Sequence, residues 1–245
     1  MKRRLDQELI QRQLVNSRSQ AANYIKLGKV AVNGLVAQKA GQLVSQKDKI
    51  SLLINEQYVS RAGLKLASVA QKFKLSFRDK IVLDVGSSTG GFTDYSLRHG
   101  AKRVIAVDVG TNQLHPSLRL HPQIELHEKT DIREFYLSAD KLPDIVLVDV
   151  SFISLRKVLP HILLHLSKKS VQQPTVVVAM VKPQFETTAN NLNKGVVKNN
   201  TIRRQILRGF EQWVKRYYDV CQKQDSSVAG EKGNLERFYL LKPKH

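Results

Sequence analysis

Alternation of apolar and helical segments predicts a doubly wound parallel α/β sheet, preceded by a small, strongly basic α+β domain. Three observations carry this expectation. Short apolar runs at 81–85, 104–107, 124–126, 145–148 and 176–181 are separated by segments of helical periodicity. The runs Ile-Val-Leu-Val (145–148) and Val-Val-Val-Ala-Met-Val (176–181) are apolar throughout, as strands covered on both faces are. The first fifty residues hold ten Lys and Arg against three Asp and Glu and show no such alternation.

In the leading segment, Leu5, Leu9, Ile10 and Leu14 recur at helical spacing. Ser17 is placed to cap a second helix carrying Ala21, Ala22 and Ile25 on one face, and Gly28 ends it. Val30-Ala31-Val32 then meets Asn33-Gly34, a strong hairpin signal, and Leu35-Val36 leads away from the turn. Two short helices and a small basic hairpin make a compact nucleic-acid-binding unit. The expected domains are 1–55, a linker over 56–62, and 63–245. In the larger one, helices are expected near 91–98, 113–120, 132–138 and 154–168. A long helix near 201–217 and a closing strand at Arg237-Phe-Tyr-Leu-Leu complete it.

Composition narrows the function class. Forty Lys and Arg against 21 Asp and Glu give a net charge of +19, which attracts a polyanion: nucleic acid first, an anionic membrane surface second. Hydrophobic content of 42% suffices for a core. Cys221 is the single cysteine, so no internal disulfide can form and a cytoplasmic location is expected. The start is basic without a following apolar segment, so no secretory signal is read there. The longest apolar runs fall far below the roughly 20 residues of a membrane span. No metal site is expected: His161 and His165 are one helical turn apart, but no third ligand is evident.

The candidate ligand loop is Ile81-Val-Leu-Asp-Val-Gly86-Ser-Ser-Thr-Gly90-Gly91-Phe92. Its glycines let backbone approach a ligand between the first strand and its helix. The spacing Gly86-x-x-x-Gly90-Gly91 is not the dinucleotide pattern, and Phe92 stands where a phosphate loop needs Lys. Gly86-Ser-Ser88-Thr-Gly90 matches a hydrolase nucleophile elbow as text, but the loop follows the first strand of its domain and no oxyanion glycine motif precedes it. A nucleoside site suits the residues better. Asp84 can organise the loop and a methionine amino group. Asp108 sits one βαβ unit later, where an acid binds ribose hydroxyls, and Asp131 after the third strand can accept from an adenine amino group. Gly86, Ser87, Ser88, Gly90 and Val109 complete the expected cofactor wall.

These residues resemble a family. Arg4-Leu-Asp, Ser17-Arg18, Gly28-Lys-Val-x-Val-Asn33-Gly34 and Lys39-x-Gly41 resemble the ribosomal-protein-S-four type of RNA-binding domain. Tyr58-Val-Ser-Arg61-x-Gly63-x-Lys65, the loop above with Asp94, Ala106-Val-Asp-Val-Gly110, Asp149-Val-Ser-Phe152-Ile-Ser154, Val181-Lys-Pro-Gln-Phe-Glu186 and Gly233-Asn-x-Glu236 resemble the catalytic domain of TlyA-type (hemolysin A) ribosomal RNA 2′-O-methyltransferases, relatives of the FtsJ-like enzymes. The resemblance covers nearly the whole chain. It implies a class I, Rossmann-like methyltransferase sheet, S-adenosylmethionine as cofactor, and ribosomal RNA in ribosomal subunits as partner. Against the family pattern, Ala62 and Asn112 replace usual glycines, Asp131 stands for a common Asn, and Ser227 for a usual Pro.

The resemblance also implies the chemistry: methylation of a ribose 2′-hydroxyl, of cytidine by family, with a Lys-Asp-Lys-Glu set at Lys65, Asp149, Lys182 and Glu236. A neighbouring cation and partial burial favour a neutral Lys182 amine that can accept the hydroxyl proton. Asp149 would orient it, and Glu236 would position Lys65 or the ribose. Without the resemblance, Lys65 reads as a surface lysine and Lys182 equally as a phosphate contact. Arg4, Arg18, Lys26, Lys29 and Arg61 are the expected RNA contacts. Arg4-Leu5-Asp6 also matches a pseudouridine-synthase motif as text, but it opens the first helix, where Asp6 is expected to cap or pair. Two other classes remain: a ribosome-binding factor on a non-catalytic scaffold, and a hemolysin-like membrane-active protein, which the lack of an amphipathic apolar face disfavours.

Overall fold

The computed structural model describes residues 2–15, 17–26, 28–53, 58–167, 174–228, 230 and 233–244. The chain divides into two units, Met1–Gln57 and Tyr58–His245. The expected boundary at 55/56 lies among residues 54–57, outside the described set.

The leading unit contains β1 (Lys2–Arg4), α1 (Leu5–Gln11), α2 (Arg18–Lys26), β2 (Val30–Val32), β3 (Leu35–Val36), β4 (Leu43–Ser45) and β5 (Ile50–Leu52). Leu5 and Leu9 of α1 pack with Ala21, Tyr24 and Ile25 of α2 in a core closed by the all-buried β2. Ser17 Oγ accepts from the Gln20 N–H, as its capping position predicts. Asn33 and Gly34 take φ of 53° and 83°, the two left-handed positions of a tight hairpin turn between β2 and β3. Strands β1, β4 and β5 escaped sequence reading: each has three residues, and each is held by pairing to a distant segment, β1 to β4 and β5 to β2.

The second unit begins with α3 (Arg61–Ala70), so Arg61 and Ala62 are helical. It continues β6 (Ile81–Val85), α4 (Gly91–Arg98), β7 (Arg103–Val107), α5 (Pro116–Arg119), β8 (Ile124–His127), β9 (Ile145–Val148), α6 (Leu159–His165) and β10 (Val176–Val181). A small hairpin, β11 (Leu192–Asn193) and β12 (Val196–Val197), leads to α7 (Asn200–Val214), β13 (Tyr218–Asp225) and β14 (Arg237–Pro243). The seven-stranded sheet runs β13-β14-β10-β9-β6-β7-β8. Five strands are parallel; β14 runs antiparallel to β10, and β13 antiparallel to β14. The doubly wound expectation holds. Because β7 lies on one side of β6 and β9 on the other, the winding reverses between β6 and β9, where such sheets open a crevice at their carboxyl ends.

The crossover helices are shorter than periodicity suggests. Over 113–120 only Pro116–Arg119 is helical, started by Pro116 at the first turn and ended before Leu120, which is 95% exposed and gains nothing from another turn. Over 132–138 a single 3₁₀ turn, Ile132–Glu134, buries Ile132, and the chain then extends so that Phe135 is buried and Tyr136 is not. Over 154–168 a 3₁₀ turn (Leu155–Lys157) precedes α6, and residue 168 lies outside the described set.

Helices α3 and α4 meet through glycine. A Cβ on Gly91 would stand 2.7 Å from Ala62 Cβ and 2.8 Å from Gly63 N, and one on Gly63 would stand 2.5 Å from the Tyr58 ring. Asp94 of α4 accepts from the Val59 N–H, fastening the segment before α3 to the same helix. This contact sets Lys65 over the sheet's carboxyl edge. Gly91→Ala must push backbone apart, so we expect a loss of about 1–3 kcal/mol in urea unfolding and a lower Tm; an unchanged midpoint contradicts the contact.

Candidate active site

Three adjoining cavities open along the carboxyl edge. The first, about 370 Å³, is walled by Gly86, Ser88, Asp108, Val109 and Asp131. The second, about 130 Å³, lies between Asp84, Ser87, Asp149 and Lys182. The third, about 480 Å³, is walled by Arg61, Lys65, Phe152, Lys182, Asn234 and Glu236. Asp149 borders the first two, and Lys182 the last two.

The glycine loop is built by close approach. Gly86 has φ 81°, and a Cβ there would stand 2.8 Å from the Asp149 carbonyl oxygen. Gly90, at φ 89°, leads into α4, and Ser88 holds φ 46°. Its shape is fixed from the neighbouring strand: Asp108 accepts from the Ser88 N–H at 2.8 Å and from the Gly110 N–H at 2.6 Å. Asn112 sits at φ 55°, a conformation Asn tolerates in place of glycine. Val109 is 71% exposed in the wall of the first cavity. Asp131 is less free than its position suggested. It caps the turn at Ile132 and is gripped by the fork of Arg133, which holds its carboxyl below the usual range. Among the described residues no histidine hydrogen-bonds the Ser88 hydroxyl; His99, His115, His127 and His161 bond to the Tyr95 carbonyl, Ser117, Glu125 and the Phe135 carbonyl.

Asp84 is buried at the end of β6. Thr93 Oγ1 donates to its Oδ2 at 2.6 Å, while Oδ1 has no hydrogen-bond partner. Burial pushes its carboxyl up to about 7; the Thr93 hydroxyl opposes this, and the charges of Asp149 and Asp108 add to it.

The two predicted lysines each face a carboxylate. Lys65 Nζ lies 2.5 Å from Glu236 Oε2, and Lys182 Nζ lies 2.6 Å from Asp149 Oδ1. Lys182 also donates to Ser151 Oγ at 2.7 Å. The substitution at Ser227 leaves Glu236 well held. Its carbonyl accepts from the Ser226 N–H, Arg203 Nε donates to the Leu235 carbonyl, and Asn234 bonds Gly195 O and the Val197 N–H of the small hairpin. Burial pushes the Glu236 carboxyl up, against the pull of Lys65. Glu186 ties the two strand-end loops together, accepting from Ser154 Oγ at 2.7 Å and the Leu155 N–H at 2.6 Å.

Buried polar atoms without a partner are uncommon in a folded protein. Among the described residues, the buried side-chain atoms lacking a hydrogen bond are Ser60 Oγ, Asp84 Oδ1, Ser87 Oγ, Asp149 Oδ1, Gln184 Oε1 and Glu236 Oε2. All six residues line the second or third cavity. The Asp149 and Glu236 atoms each face a lysine amine, at 2.6 and 2.5 Å.

In the leading unit, considered by itself, Asp6 does pair. Its buried carboxylate takes two bonds from Arg4 and one from Arg18, which hold it below its usual range. Arg4, Arg18, Lys26 and Lys29 are exposed there. Arg61 lies in the second unit, half-buried in the wall of the third cavity.

Comparison with known proteins agrees with this arrangement. The FtsJ-like methyltransferase family matches residues 58–243, and the S4 domain matches residues 3–50. The chain belongs to the FtsJ-like methyltransferase family. Hemolysin A of Brachyspira hyodysenteriae is 35% identical over 237 residues, 95% of this chain and 97% of that protein. The 16S/23S rRNA (cytidine-2′-O)-methyltransferase TlyA of Mycobacterium tuberculosis is 35% identical over 244 residues, 98% of this chain and 89% of that one. A solved structure from Streptococcus thermophilus, assigned as a hemolysin, superposes with a TM-score of 0.71 at 35% identity, covering 99% of this chain and 89% of that one. Among the described residues of this FtsJ-like chain, no helix is long and apolar enough to cross a membrane.

Sequence reasoning passed over Thr93, Ser151, Glu186 and Asn234 as individual positions. All four stand inside the motifs that carry the resemblance, but no spacing marks their partners. The Lys65–Glu236 pair supports a measurement. A carboxyl raised above its unfolded value keeps its proton in the native state after the unfolded chain has lost it, so stability falls as pH rises through that interval. Lys65→Met removes the opposing cation and raises Glu236 further. We expect the Tm deficit of Lys65→Met against wild type to widen from pH 5 to pH 8; a constant deficit would show that the pair is not electrostatically coupled.

Proposed function

We propose that this methyltransferase transfers a methyl group from S-adenosylmethionine to the 2′-hydroxyl of a cytidine in ribosomal RNA, with ribosomal subunits as its substrate. The observation that carries this reading is the convergence of the partnerless buried polar atoms with two lysine–carboxylate pairs on one sheet edge. The names of the relatives supply the nucleotide.

The residues suit the cofactor. Asp84 Oδ1 is a buried acceptor without a donor, placed for a cationic amino group, with Ser87 Oγ beside it in the same cavity. Each Asp108 oxygen accepts one backbone N–H and retains capacity for a ribose hydroxyl. Val109 and Ile132 offer apolar walls to an adenine ring in a cavity of about 370 Å³. Asp131 would reach the adenine amino group only by sharing its oxygens with Arg133. When bound, S-adenosylmethionine supplies an electrophilic methyl on a sulfonium that leaves readily.

The chain's own task is the oxygen. In this reading Lys182 is the base that takes the 2′-hydroxyl proton, and Asp149 holds its amine in place. Lys65, steadied by Glu236, supplies positive charge as the oxygen becomes anionic. Phe152 is 91% exposed at φ 65°, a strained conformation for an aromatic residue, with its ring 5.2 Å from that of Phe185. The pair offers a stacking face for an unpaired base beside the third cavity. Arg4, Arg18, Lys26 and Lys29 of the S4 domain and Arg61 would hold phosphates.

Unmethylated ribosomal subunits incubated with methyl-labelled cofactor test the reaction. We expect label on a cytidine 2′-oxygen, and a loss of about 100-fold or more with Lys182→Ala. Equal labelling by both proteins removes Lys182 from the mechanism. Asp84 gives a separate test by calorimetry. Below pH 7 its carboxyl must release a proton before it can hold a cationic amino group, so cofactor Kd should rise about tenfold per unit of falling pH and level off above 7. Asp84→Asn should bind weakly without that slope; retention of the slope assigns it to another group.

A further inference from the structure

We infer that the hydroxyl of Ser151 is a positioning group for the reacting amine, a role that rests on the reading of Lys182 as the base. Lys182 Nζ has two neighbours from the loop after β9: Asp149 Oδ1 at 2.6 Å and Ser151 Oγ at 2.7 Å. Both oxygens belong to one short loop, which Glu186 fastens to the loop carrying Lys182 through Ser154 Oγ and the Leu155 N–H. Pro183 follows Lys182 and restricts its backbone. The stem is therefore held at its base and the amine at its tip.

A tetrahedral amine nitrogen has four directions. One goes to Cε. In the neutral form two carry hydrogens and the last carries the lone pair. Ser151 Oγ takes one N–H; Asp149 Oδ1, at 2.6 Å but without a hydrogen bond, attracts the amine without fixing its rotation, so the other hydrogen and the lone pair share the two remaining directions. Lys182 and Ser151 both line the second and third cavities, so their contact lies where a hydroxyl would be presented in this reading. With Asp149 alone, the amine turns about its Cε–Nζ bond, and hydrogen and lone pair exchange places. Ser151 narrows that freedom. It also accepts from the ammonium after proton transfer, so the same contact serves both ends of the step.

Ser151 also lines the first cavity, so cofactor affinity is measured beside the rate to separate positioning of the amine from binding. Ser151 is itself exposed, which leaves room for the extra methyl of threonine. The experiment compares wild type, Ser151→Ala, Ser151→Thr and Lys182→Ala on ribosomal subunits, with kcat, KM, the calorimetric Kd for S-adenosylmethionine and Tm measured for each. We expect kcat of Ser151→Ala to fall about tenfold, with KM, cofactor Kd and Tm unchanged, and Ser151→Thr to retain kcat within about threefold. Full activity of Ser151→Ala overturns the inference, as does an equal loss in Ser151→Thr. A loss of cofactor affinity or Tm that accounts for the fall also overturns it, because the residue then supports the loop. If Lys182→Ala is as active as wild type, the failure lies in the reading of the base and not in Ser151 alone.

Discussion

The contact between Gly86 and the backbone of Asp149 governs the arrangement of the whole edge. Strands β6 and β9 are neighbours in the sheet, yet their onward chains leave in different directions. At the point of divergence the Asp149 carbonyl stands 2.8 Å from where a side chain on Gly86 would begin. Hydrogen bonds from Asp149 N to Val85 O and from Gly86 N to Val107 O string the loop across three strand ends. No residue with a Cβ can occupy this position without separating the strands, and separating them would move Asp149 away from Lys182. The loop that would hold a cofactor and the carboxylate that holds the amine are thus fixed by one geometric requirement.

Charge in the site follows a different logic from charge on the molecule. The first 57 residues carry ten Lys and Arg against four Asp and Glu, and the remainder carry 30 against 17, so both units are strongly basic. Inside the cavities the balance reverses: Asp84, Asp108, Asp131, Asp149 and Glu236 stand against Arg61, Lys65 and Lys182, and each lysine is matched by a carboxylate. Buried, unpaired charge is costly, and a group in that position shifts its protonation instead. Asp84, lacking a lysine, does so and rises to about 7. In the proposed reading, the sulfonium cofactor with its amino group is the cation that this corner lacks.

How much of this was legible in sequence depends on how local each determinant is. Strands β6, β7, β9 and β10 are apolar and buried almost throughout, and they read directly as runs. Strand β13 (Tyr-Asp-Val-Cys-Gln-Lys-Gln-Asp) lies at the sheet's edge, breaks register between Val220 and Gln222, and has mixed polarity, so only its pairing with β14 defines it. The helices expected over 113–120 and 132–138 shrank because each finds only one or two core positions, Leu114 and Leu118 in one and Ile132 and Phe135 in the other. In the site, acids at strand ends were visible from position alone. Lys65 and Glu236 meet from opposite ends of the unit, and no periodicity relates them. Their pairing was expected only through resemblance, and its cause is the glycine contact between α3 and α4 together with the bonds that pin Asn234–Glu236.

A basic residue counted in a sequence is not a phosphate contact counted in a structure. Arg12 spends its guanidinium on Glu8 and on the carbonyls of Asp48, Ser45 and Gln46, and so serves as a brace inside the leading unit. Arg203 and Arg237 converge on Asp225, Arg119 forks onto Glu128, and Arg133 onto Asp131. Each of these groups is partly or wholly neutralised from within. Arg4 and Arg18 differ: one buried carboxylate, Asp6, orients two guanidiniums that remain exposed, and the cluster keeps a net positive charge. Lys26 and Lys29 are exposed in the same unit. Counterion release on binding nucleic acid scales with the phosphates actually neutralised, not with formal charge. Fewer cations are therefore free to meet a polyanion than a net +19 suggests, and in the leading unit Lys2, Lys39, Lys47 and Lys49 are exposed beside those already named.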